Sequence, residues 1–71
     1  MTFYQTIISE STGISDVKEI ARIEDCMRND IFHSNLDWQT KAQLKKAAKE
    51  AVYIVKEVDK MMKAEGVTNP I

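Results

Sequence analysis

The sequence predicts an all-α fold. It reads as a small three-helix domain in which a long C-terminal helix forms a hairpin with a middle helix, and a short N-terminal helix packs across both. Three observations carry this. Apolar residues recur at spacings of three and four along most of the chain. The two glycines and the single proline fall where helices would end. Two segments open on a Thr followed three residues later by Gln, the pattern of a capping box.

The first helix is expected over about residues 2–11. In "TFYQTIISEST", Phe3, Ile7 and Ile8 share one helical face with Tyr4 beside them, and Thr2 with Gln5 supplies the cap. "FYQTII" also has the aromatic and β-branched content of a strand. Helix is preferred because the chain offers no second strand to pair with it.

The second helix is expected over 15–31. Ser15 or Asp16 caps it, and Asp16 with Glu19 resembles a capping box built on Asp. Val17, Ile20, Ile23, Met27 and Ile31 then form one apolar face, with Glu19, Arg22, Asp25 and Arg28 largely outside it.

The third helix is expected over 40–65, capped by Thr40 and Gln43. Leu44, Ala48, Ala51, Val55, Val58 and Met62 alternate spacings of four and three as an a/d seam. Ala47, Ile54 and Met61 widen the stripe, and the small alanines permit close approach of another helix. This helix outreaches the second by roughly 10 Å at 1.5 Å per residue. Either the first helix or a second copy of the chain would cover the excess. "GVTNPI", residues 66–71, reads as a tail.

Between the second and third helices lies "MRNDIFHSNLDW", which holds the single His and the single Trp. Ser34 with Asp37 suits a short capped turn. Leu36 and Trp38 are read as core anchors beside Ile20, Ile23, Met27 and Ile31, with Trp38 plugging the end of the core. On that reading Trp38→Ala would cost about 3–5 kcal/mol.

Length and composition exclude more than they assign. Seventy-one residues form one domain, 1–71, which buries only about 60–65% of its unfolded surface and is marginal alone. One cysteine permits no internal disulfide and fits a reducing compartment. No apolar run is long enough to span a membrane, and the first ten residues lack the basic start and apolar stretch of a secretory signal, so a cytoplasmic protein is expected. The net charge of −1 hides an asymmetry: residues 1–40 hold seven acids and three bases, whereas 41–71 hold seven lysines and four acids. Packing of one half on the other is the plainer use of that asymmetry, and a basic face for an acidic partner the other.

Catalytic chemistry finds little support. Cys26, Asp30, His33 and Asp37, with Glu24 and Asp25 nearby, are the possible metal ligands, but one Cys and one His without CxxC, HxxxH or HExxH spacing do not compose a zinc site. Cys26 beside Glu24 and Asp25 is expected to have a raised pKa and to be a poor nucleophile. No glycine-rich phosphate loop exists. The expectation is no enzyme, no metal and no cofactor.

Binding remains. "STGISDVKEIARIE" resembles the helix-turn-helix family at its turn, where Gly13, Ile14 and Ser15 match the usual Gly, apolar and Ser positions. It departs from the pattern at Glu19 and Arg22, and its second helix opens with acids balancing bases. The lysines flanking the third helix (Lys41, Lys45, Lys49, Lys56, Lys60 and Lys63) are the better electrostatic footprint for nucleic acid. An interfacial membrane helix would need bulkier apolar residues than this alanine-rich face. Tyr4, Trp38, Tyr53 and Met61 are candidates for exposed apolar contact, and Tyr53 stands nearly opposite the Val55/Val58 seam. The favoured reading is a non-enzymatic interaction or regulatory module that presents a helical surface to a protein partner or a second copy, with Tyr53, Lys45, Lys49, Lys56 and Lys60 as the contact face.

The helix ending "MRND", the following "LD" and the capped "TKAQLKKAAKEA" together resemble small uncharacterised helical proteins of bacteria and their mobile elements. That resemblance implies a helical fold and carries over no functional residue.

Overall fold

A computed structural model describes residues 1–33 and 36–64. Three α-helices form: α1 (Phe3–Thr12), α2 (Val17–Cys26) and α3 (Lys41–Ala64). A π-helical turn, Met27–Phe32, continues α2 without a break, and a 3₁₀ turn, Leu36–Trp38, precedes α3. Each helix packs against the other two. The expected Ser34 turn and the tail at 66–71 lie outside the described residues, as does Glu65.

The helix starts follow local chemistry. The Thr2 hydroxyl accepts the Gln5 backbone N–H at 3.2 Å, and the Gln5 side chain accepts the Thr2 N–H at 3.1 Å. The same reciprocal pair forms between Thr40 and Gln43, at 3.1 and 2.9 Å. Both boxes satisfy amide donors that the first helical turn leaves orphaned. α2 differs from its expected box. Asp16 caps it alone by accepting the Lys18 N–H at 2.9 Å, while Glu19 turns to Arg22. Gly13 ends α1 at φ 74°, the left-handed region, and donates its N–H to the Ser9 carbonyl at 2.8 Å.

The core gathers Ile7 and Ile8 of α1, Ile20, Ile23 and Cys26 of α2, Met27, Leu36, and Leu44, Ala47, Ala48, Ala51 and Val55 of α3. The alanines let the helices approach closely, as their size implies. α1 lies beside the first half of α3. The Tyr4 hydroxyl donates to the Asp37 carboxylate just before α3, and at the other end Ser11 and Thr12 share a hollow with Lys49 and Val52.

That placement corrects three core assignments. Val58 is 45% exposed, Met62 40% and Trp38 79%. α1 ends at Thr12, level with Val52, so the last turns of α3 have only α2 beside them, and Val58 and Met62 stay open. Val17, at the start of α2, is exposed as well. Trp38 fails differently. In a 3₁₀ turn of three residues per turn, Leu36 and Trp38 cannot share a face. Leu36 takes the buried direction, at 0% exposure, and the indole points outward. Ile31 is half-buried because the wider π turn brings Phe32 alongside it against the same core. Phe3 also faces outward, its ring set edge-on to Tyr4.

Candidate functional site

α2 and α3 are joined across their length, and α1 occupies one of the two grooves that run between them. Its seat is marked by the Gln5 side-chain amide, which donates to Glu24 at 3.2 Å, and by the hollow it shares with Lys49 and Val52. The opposite groove is open. It has a volume of about 270 Å³, and no residue of α1 lines it. Its floor is apolar, made by Cys26, Ile54, Val55 and Val58. Arg22, Asp25, Asn29 and Asp30 form the α2 wall.

The cation of this wall is already engaged. Arg22 contacts Asp59 with both terminal nitrogens, at 2.7 and 3.3 Å, and also Glu19 at 3.0 Å. Hydrogen bonding to Arg22, reinforced by its charge and that of Lys63, holds the Asp59 carboxyl below the usual carboxylate range. Asp25 and Asp30 are exposed on the rim. Along α3, Glu50 opens on a separate hollow with Lys46, Ile31 and Phe32, and neither it nor Glu57 lines this groove. Asp25 and Asp30 therefore border the apolar floor from the α2 side.

Cys26 is buried, and its thiol is pushed up to about 11, first by burial and then by a hydrogen bond to Asp30 and the charge of that carboxylate. The direction agrees with the sequence reading but the cause does not: Asp30, one turn on, acts rather than the adjacent Glu24 and Asp25. Glu24 is held instead by Arg28, at 3.1 Å. A thiol with this pKa is a poor nucleophile at neutral pH.

The residues singled out as metal ligands do not converge. Asp30 faces Cys26, Asp37 takes the Tyr4 hydroxyl, and His33 is exposed at the end of the π turn. Among the described residues, no three His, Cys, Asp or Glu side chains meet as a metal would need. None of the described helices is long and apolar enough to cross a membrane.

The predicted contact residues are all at the surface. Lys45, Lys49, Lys56 and Lys60 are exposed, and Tyr53 is 66% exposed among them. Two other features were not anticipated. One is the acid-rimmed groove, whose wall residues appeared in the sequence only as the polar side of α2. The other is an apolar end formed by Val17, Val58, Met61 and Met62, three of which periodicity had placed inside. No family model matches the chain, and neither the curated proteins nor the solved structures contain a match to it.

Proposed function

We propose that this chain is a non-enzymatic protein-interaction or regulatory module of the cytoplasm that works by presenting helical surface and associates with a second copy of itself. The observation that carries the reading is the apolar end of the α2/α3 pair. Val17, Val58, Met61 and Met62 are between 40% and 60% exposed, next to a core that stops at Val55. Exposed apolar side chains in this number at one end of a small domain favour association. The buried thiol and the dispersed His and Asp residues give catalysis no support.

Light scattering on the full chain tests this. A dimer at tens of micromolar, converted to monomer by Met61→Lys without loss of helical circular dichroism, is the expected result. A strict monomer whose partner recovery is indifferent to Met61→Lys and to Tyr53→Ala would overturn it.

A second reading rests on the exposure of Lys45, Lys49, Lys56 and Lys60 together with Tyr53 on the outer side of α3. On this reading the flank binds nucleic-acid phosphates, with or without help from the turn at Gly13. Labelled duplex should then bind with a steep salt slope, and Lys49→Glu should reduce that slope by about one. Binding that ignores salt, or no binding at low salt, removes this reading.

A further inference from the structure

The groove opposite α1 has the form of a bundle position left empty, and its borders say what would fill it. We infer that it receives one basic amphipathic helix from a partner protein, so that the three-helix chain completes a four-helix arrangement. This rests on the reading of the chain as an interaction module and names the class of partner.

The shape argument comes first. α1 already fills the equivalent groove on the other side of the same two helices, so a helix fits between α2 and α3 at normal packing distance. The floor of Cys26, Ile54, Val55 and Val58 is the kind of surface onto which a helix lays an apolar stripe. The α2 wall of the groove runs from Arg22 to Asp30, about 12 Å at 1.5 Å per residue, so about two turns of an incoming helix would lie on the floor.

Charge then selects the occupant. Asp25 and Asp30 stand on the α2 rim, and Arg22 is committed to Asp59 and Glu19. An incoming helix with Lys or Arg beside its apolar stripe would meet these carboxylates. A second copy of this chain fits poorly. Presenting its own groove, it would set acids against acids. Presenting its lysine flank, it would offer Val52 and Tyr53 but no continuous apolar stripe for the floor. Such a head-to-tail contact would also leave both ends open and build chains of molecules.

The test uses the full-length protein and three synthetic helical peptides of about 18 residues. One carries a Leu stripe flanked by Lys, one has the same composition scrambled, and one has Glu in place of Lys. Fluorescence anisotropy should show micromolar binding of the first, weakened by salt, and at least about tenfold weaker binding of the other two. Asp25→Lys and Asn29→Lys, both at exposed positions, should each weaken the basic peptide severalfold while thermal melts stay unchanged. Met61→Lys lies outside the groove lining and, by freeing Val58, which the dimer end and the groove share, should leave peptide binding intact or tighten it. Equal binding of the scrambled peptide, indifference to both wall substitutions, preference for the acidic peptide, or no binding of any peptide would overturn the inference. Light scattering with Met61→Lys reads the underlying interaction reading separately. A dimer lost in Met61→Lys together with absent peptide binding would sink the groove and spare the module.

Discussion

The Arg22 guanidinium closes on the Asp59 carboxylate with two hydrogen bonds, at 2.7 and 3.3 Å, and thereby ties the middle of α2 to the distal third of α3. α1 ends level with Val52, so along α3 this pair lies beyond its end. Both partners are close to half exposed, and surface pairs of this kind contribute little individually.

The pH dependence of that pair has a definite sign. Asp59 titrates below its ordinary value in the folded chain, mainly because Arg22 hydrogen-bonds its charged form. Its contribution is therefore complete above the ordinary carboxylate range and is lost as pH falls through the lowered value. Urea midpoints of the native chain and Asp59→Asn should differ slightly at pH 7, and the gap should close as pH is taken into the acid range. It should also narrow in high salt. A gap that widens on acidification would contradict the assignment.

Cys26 makes the opposite kind of prediction. With its pKa near 11, roughly one folded molecule in a thousand carries the thiolate at pH 8. Labelling by a disulfide reagent should be slow in buffer and rise sharply in denaturant, which exposes the thiol and returns its ordinary pKa. Because the folded value is raised, stability is unaffected below the ordinary thiol range and falls as pH climbs from there toward 11. Fast stoichiometric labelling of the folded chain at pH 8 would refute this.

Leu36 and Trp38 separate two readings of the same corner. Leu36→Ala should cost about 2–5 kcal/mol, since its side chain is fully buried among α-helical neighbours. Trp38→Ala should stay within about 0.5 kcal/mol, the range of ordinary surface changes. Trp38 emission should resemble that of the free indole and be quenched by iodide. A large loss on Trp38→Ala, seen in urea melts, would restore the plug that periodicity suggested.

That corner also shows what the sequence made legible. Both capping boxes were readable because their hydrogen bonds join residues three apart, and local chemistry decides them. The apolar faces of α2 and α3 were readable for the same reason, up to Val55. Beyond it, the repeat continues through Val58 and Met62 with no change in pattern. Only the end of α1, a tertiary fact, decides that they are exposed. The direction of Trp38 depended on a 3₁₀ turn, and the burial of Phe32 on a π turn, neither of which has a marker in residue type. The groove was hidden because each wall taken alone is an ordinary polar helix side. It became a site when Asp25 and Asp30 were set beside an apolar floor that α3 completes with Ile54, Val55 and Val58.

Two left-handed residues give the last prediction. Gly13 ends α1 at φ 74°, and His33 ends the π turn at φ 54°. Nothing stands within 4 Å of a Cβ placed on Gly13, so Gly13→Ala would meet only the backbone cost of that conformation, about 1 kcal/mol. Gly13→Asn should lose less, since Asn tolerates the left-handed region better than other side chains. His33 already bears that cost in the native chain. His33→Gly removes it but adds freedom to the unfolded state, so it should be close to neutral, whereas His33→Val should destabilise because a branched Cβ fits this region worst. Thermal melts of the four variants should therefore rank His33→Gly nearest the native chain, then Gly13→Asn, with Gly13→Ala and His33→Val lowest. If Gly13→Ala melts with the native chain, α1 does not end through a left-handed cap in solution.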